Sequence, residues 1–200
     1  MAQKGGYSSV GFTKKDLYNY FDKKLCVVIK DGDVSAALNY LNVKSSIDPH
    51  SFCQYFVTDD GRLKCLFWAD GTSRLDYLYF SDVVAFDTTY NKNKYNYLLV
   101  IFSGCNHHSQ TIIFGVALVM DETTETYMWV LSSFLDCMGN KLPKAVVTDG
   151  DGSMREALKT VFPSTRHCLC AWHLNKNVVD NVKNSTFLNG FKKTMYSNFT

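Results

Sequence analysis

The sequence has few of the features that would take it out of the ordinary globular class. Three prolines and twelve unspaced glycines in 200 residues exclude a collagen or proline-rich rod. No segment after Met1 resembles the apolar core of a secretion signal, and the seven cysteines are odd in number and irregular in spacing. A disulfide framework is thereby excluded, and a reduced, intracellular protein is the expectation. The longest apolar run, Thr111 to Met120, is about half the length a membrane-crossing helix needs, so no membrane partner is expected. Charge of one sign is also lacking, with 21 Lys and Arg against 19 Asp and Glu. The glycines form neither a dinucleotide fingerprint nor a phosphate loop.

What remains is a chain that is 46% hydrophobic and can bury a sizeable core. A local charge excess stands out only from Arg155 onward, where seven basic residues meet two acidic ones. Such a stretch reads either as an anion-attracting face or as a solvated surface.

Periodicity divides the chain near residue 80. Thr13 opens one expected helix, with Leu17, Tyr20 and Phe21 on a face, and Asp33 opens a second with Val34, Leu38 and Leu41. Aromatic and branched residues between Phe52 and Trp68, broken by Asp60-Gly61, predict a hairpin. Residues 1–80 thus form a small α+β appendage. From Asp82 the apolar runs Val83–Phe86, Tyr97–Phe102 and Thr111–Met120 follow too closely for parallel crossovers, which makes them antiparallel neighbours. A helix around Tyr127, Leu131, Phe134, Leu135 and Met138 then has room to return Ala145–Val147 parallel to the first strand. A helix stopped by Pro163, a short strand over Arg166–Ala171 and a last helix complete a mixed α/β sheet.

Two of these strands end in aspartate, in Phe86-Asp87-Thr88-Thr89 and Val147-Thr148-Asp149-Gly150-Asp151. If they are parallel neighbours, Asp87 and Asp149 leave the sheet at one edge, where paired carboxylates call for a proton or a hard divalent cation such as magnesium. The competing reading gives these aspartates capping and turn roles. Asp151 suits a cap, and Ser153 and Glu156 have capping-box spacing.

Phe80-Ser81-Asp82-Val83-Val84-Ala85-Phe86-Asp87-Thr88-Thr89-Tyr90, the Gly104–Gln110 turn, Val147–Asp151, Val161-Phe162-Pro163 and Cys168-Leu169-Cys170-Ala171-Trp172-His173-Leu174 together resemble the transposase domain of Mutator-like elements. Within that group the sequence is most similar to the plant far-red-impaired-response and far-red-elongated-hypocotyl proteins, domesticated relatives of the transposases. The resemblance implies a ribonuclease H-like five-stranded sheet of order 3-2-1-4-5 over residues 81–185. Residues 186–200 would begin a downstream segment. It also implies that Asp87 and Asp149 match the first two acids of a catalytic triad using Mg2+ or Mn2+, the third being a glutamate beyond the end of this chain.

Cys170 and His173 match a short cysteine–histidine element of that family, and with His167 and Cys168 they offer thiolate and imidazole ligands for zinc, or else a buried structural cluster. Lys92 and Lys94 beside Tyr90, Tyr95 and Tyr97 compose a nucleic-acid edge. His107 and His108 are expected in a turn near the acidic edge, contacting phosphate or making ordinary turn hydrogen bonds. The resemblance implies a nuclear, transposase-derived regulator of transcription with DNA and nuclear proteins as partners, a fragment without transposition activity. A fragment of a metal-dependent DNA transposase and an inactive truncated product are the alternatives.

Overall fold

In the computed structural model, which describes residues 32–89 and 95–196, the chain divides into two units, residues 1–47 and 48–200. The first unit contains helix α1 (Asp33–Ile47), and none of its side chains is buried. The expected stripe of Val34, Leu38 and Leu41 falls on it, whereas the helix expected from Thr13 lies outside the described residues.

The second unit runs β1 (Phe52–Val57), β2 (Leu63–Ala69), α2 (Gly71–Phe80), β3 (Val83–Thr89), β4 (Leu98–Cys105), β5 (Thr111–Val119), α3 (Thr124–Cys137), β6 (Ala145–Thr148), α4 (Gly152–Val161), β7 (Arg166–Leu169), α5 (Ala171–Asn181) and α6 (Ser185–Tyr196). One sheet contains all seven strands in the order β1-β2-β5-β4-β3-β6-β7. Counted from β3, the last five lie in the order 3-2-1-4-5, the ribonuclease H-like arrangement. Pairing is antiparallel from β1 to β3 and parallel for β3 with β6 and β6 with β7.

The hairpin differs from expectation. Its turn forms at Asp60-Gly61, where Gly61 takes a φ of 77° that an L side chain resists, but β1 and β2 do not stand apart in an appendage. Along β2, Leu63, Cys65, Leu66, Phe67 and Ala69 are all buried. β2 is hydrogen-bonded on both edges, to β1 and to β5, with Phe67 opposite Ala117, so it is an interior strand of the sheet, where continuous apolar runs are buried. The sheet is therefore seven-stranded, the five expected strands plus two.

Helix α2 was not expected from the sequence. Its N-cap is Asp70, whose carboxylate accepts the Ser73 N–H at 2.8 Å, yet only Gly71 and Tyr77 are buried along it. With so little apolar periodicity, the cap was its one legible signal. None of the described helices is long and apolar enough to cross a membrane.

Alternation along the strands sets one face of the sheet against α3. Phe86, Phe102 and Phe134 stack in sequence, with ring centroids 4.8 and 4.1 Å apart and planes within 10°. Phe67 and Tyr77 meet Phe134 edge-on, at 6.3 and 5.1 Å. Phe134 thus joins β2, β4 and α2 to the helix that carries it, reaches β3 through Phe102, and meets Phe162 at 6.5 Å. Deleting this ring leaves a cavity bounded by rigid strands, so Phe134→Ala should destabilise the fold by about 3–5 kcal/mol. Urea unfolding followed by tryptophan fluorescence measures this; a loss under about 1 kcal/mol would show that the site collapses freely.

Candidate functional site

Backbone register places the two acids. Val83, Val84 and Ala85 of β3 lie opposite Ala145, Val146 and Val147 of β6. Asp87 follows two residues later on β3, and Asp149 is the first residue past the end of β6, so both lie toward the C-terminal edge of the parallel pair. In β3, Val84, Phe86 and Thr88 turn into the core, so Asp87 belongs to the other face and is exposed. In β6, Val146 and Thr148 turn inward, and Asp149 stands half-buried at the start of the turn that follows the strand. Among the described residues neither carboxylate forms an ion pair with Lys or Arg.

The turn that follows β6 is tightly specified. Asp149 accepts the Asp151 N–H at 3.1 Å, and Asp151 in turn caps α4 by accepting the Met154 N–H at 2.9 Å. Between them Gly150 has a φ of 95°, and a Cβ there would stand 2.8 Å from Leu169 Cδ2. Beneath the turn, the Thr148 hydroxyl accepts the Gly150 N–H at 3.1 Å and lies 2.8 Å from His167 Nε2. Thr148 is buried, so all of its hydrogen-bonding capacity must be met inside the protein. The Gly150 amide and the His167 ring together meet it.

A second polar chain backs Asp87 on the core side. The Tyr127 hydroxyl donates to Glu122 at 2.9 Å and lies 3.3 Å from Thr88 Oγ1. Burial pushes this phenol well above its ordinary pKa, so it stays neutral and serves as a tie between α3 and β3. The sequence analysis counted Tyr127 only as an apolar position on its helix. Its hydroxyl partners are separated along the chain, and no spacing signals them.

Several expected site residues fall elsewhere. Ser153 does not cap α4, because the helix begins at Gly152 with Asp151 as N-cap, and Glu156 pairs with Lys159 at 2.7 Å instead of closing a capping box. His107 and His108 are not near the acids. β4 runs antiparallel to β3, with Ser103 opposite Ala85 and Leu99 opposite Thr89, so the turn after β4 lies at the N-terminal edge of β3. There the His107 ring meets Phe80 edge-on at 4.9 Å. Lys92 and Lys94 lie outside the described residues.

Cys170 is the N-cap of α5 without a side-chain capping bond, and His173 stands in its first turn with Nδ1 buried and unpartnered. Among the described residues no group of three His, Cys, Asp or Glu side chains is gathered for a metal ion. Trp172, in the first turn of α5, is 60% exposed, with Lys176 Nζ 5.4 Å from its ring centroid.

The fold and the paired acids at its edge define a class, which comparison makes specific. Residues 83–177 match the model of the MULE transposase domain. The chain is homologous to the FAR1 family of Arabidopsis thaliana. It is 37% identical to Protein FAR-RED IMPAIRED RESPONSE 1 over 204 residues, covering 99% of this chain and 25% of that protein. Protein FAR1-RELATED SEQUENCE 5 is 37% identical over 86% of the chain and FAR1-RELATED SEQUENCE 4 is 34% identical over 97%, of which the chain covers 22% and 27%. The chain spans about a quarter of the length of these relatives.

His167 gives the site a dependence on pH. Burial and the nearby Arg155 lower its pKa from the ordinary 6.5. The unfolded chain then binds the proton more readily than the folded one, so stability rises with pH between the lowered value and about 6.5 and is lost on acidification through that window. His167→Gln should flatten the stability profile on the acid side of about pH 6.5, measured by urea unfolding at each pH. An unchanged profile would remove His167 as its source.

Proposed function

We propose that this chain is part of a transposase-derived nuclear protein that regulates transcription, its ribonuclease H-like domain serving as a scaffold for DNA and nuclear protein contacts. The observation that carries this reading is the likeness to Protein FAR-RED IMPAIRED RESPONSE 1 across 99% of the chain. The basic stretch from Arg155 onward supports DNA association through phosphates, a contact that positions the protein without reading bases. The name of that relative extends the proposal to a role in light responses.

The second reading, metal-dependent cleavage of DNA strands, is supported by one specific observation: Asp87 on β3 and Asp149, just past β6, lie toward the same edge of neighbouring parallel strands. Two carboxylates at one edge, neither paired with a cationic side chain among the described residues, fit a hard divalent ion as two of its ligands. Such an ion, when bound, would supply charge to activate water and to stabilise a departing phosphate oxygen. The chain's own contribution is the turn that aims Asp149, held by Thr148 and His167, while Asp151 is committed to its cap. Cys170 and His173 supply two ligands toward zinc and no third among the described residues.

The two readings separate in one pair of measurements. Duplex DNA binding by the wild type and by Asp87→Asn/Asp149→Asn should be equal, and should weaken by at least roughly tenfold between about 50 and 200 mM salt. Supercoiled plasmid incubated with manganese should stay intact with both proteins. Nicking by the wild type that the double variant lacks would transfer the assignment to the enzyme, and a salt-independent affinity would defeat the phosphate contacts.

A further inference from the structure

The edge of the sheet opposite the two acids carries a separate feature. Helix α2 joins the end of β2 to the start of β3, and α3 runs down to the start of β6, so both converge there. A cavity of about 440 Å³ opens between α2 and the segment that leaves α3. Tyr77, Leu75, Leu78 and Met138 line it with carbon, and Arg74 and Lys141 stand among them. Leu75 and Leu78 are 58% and 54% exposed, although they recur at helical spacing on one side of α2.

The walls are tied to one another before any partner arrives. The Tyr77 hydroxyl donates to the Lys141 carbonyl at 2.8 Å, Lys141 Nζ donates to the Leu78 carbonyl at 2.6 Å, and Arg74 Nη1 donates to the His50 carbonyl at 2.8 Å. Each cation therefore uses one donor on a backbone oxygen and keeps others, since a guanidinium has five N–H groups and an ammonium three. Neither forms an ion pair among the described residues, and no Asp or Glu lines the cavity.

We propose that this groove docks an amphipathic acidic segment of a partner protein, one that places an aliphatic or aromatic side chain between Leu75, Leu78 and Met138 and sets carboxylates against Arg74 and Lys141. The floor is carbon, which suits a hydrophobic anchor rather than a phosphate backbone. A second copy of this chain is disfavoured by charge, because a two-fold contact through this face would bring Arg74 and Lys141 toward their own duplicates. The preformed walls spare the ordering cost that a flexible groove would incur. The groove is independent of any metal at Asp87 and Asp149, from which the whole length of the strands separates it.

The test is fluorescence anisotropy of the full 200-residue chain with a labelled peptide of about twelve residues, leucines at helical spacing and glutamates between them, and with a twin carrying lysines for glutamates. The glutamate peptide should bind at least roughly tenfold more tightly, and Arg74→Glu/Lys141→Glu should invert that preference. Leu78→Asp should weaken both peptides. Circular dichroism melting checks that each variant folds; if the charge reversal does not, Arg74→Gln/Lys141→Gln should abolish the preference. Absent binding, equal binding of the twins, or a preference that survives the loss of both cations overturns the proposal. Displacement of the peptide by a DNA duplex, sensitive to the same two residues, would assign the groove to nucleic acid instead.

Discussion

Parallel pairing of β3 with β6 is the constraint on which the rest of the structure depends. It requires a crossover, and α3 supplies one by running from the end of β5 to the start of β6 while burying Tyr127, Val130, Leu131 and Phe134 against the sheet. The pairing gives the sheet two chemically distinct edges. At one lie Asp87 and Asp149, with no ion-pair partner among the described residues. At the other, the ends of α2 and α3 converge and leave an apolar groove with two cations. Were β6 to pair antiparallel, Asp149 would move to the groove's edge and both features would be lost.

Stability and site geometry are linked through the same helix. The stack of Phe86, Phe102 and Phe134 fixes α3 against the central strands. Tyr127, two turns earlier on the same face of α3, then ties Thr88 to Glu122 beside Asp87. On the neighbouring strand, His167 holds Thr148, which holds the Gly150 amide, and so sets the turn from which Asp149 projects. Each acid is thus backed by a buried hydroxyl whose partners are supplied by a different element. Such chains position side chains more reliably than exposed ion pairs like Lys144 with Asp82, whose geometry solvent loosens.

Much of this was legible in the sequence because local signals agreed with tertiary ones. The three runs from Val83, Tyr97 and Thr111 were too closely spaced to be anything but antiparallel, and the heptad-like positions of α3 left it only the crossover. The parallel return beside the first strand followed from that, while the full ribonuclease H-like order came from the resemblance to the transposase domain. The hairpin's membership in the sheet did not, because pairing of β2 with β5 joins residues about fifty positions apart and nothing local announces it. The misplaced His107 and His108 show the opposite error: the turn was recognised, but strand direction, not proximity in sequence, decides which edge a turn occupies. Ser153 failed as a cap because the helix starts earlier, with Asp151 as its N-cap, which leaves Ser153 inside the first turn.

The central claim is the side-by-side, same-direction alignment of the two aspartate-bearing strands. Nuclear Overhauser spectroscopy on an isotope-labelled sample tests it most directly, through backbone proton contacts between Val84 or Ala85 and Val146 or Val147. The account predicts amide-to-Hα contacts in the parallel pattern across these residues. Strong Hα-to-Hα contacts, the mark of antiparallel neighbours, or no contacts between the two segments would contradict it.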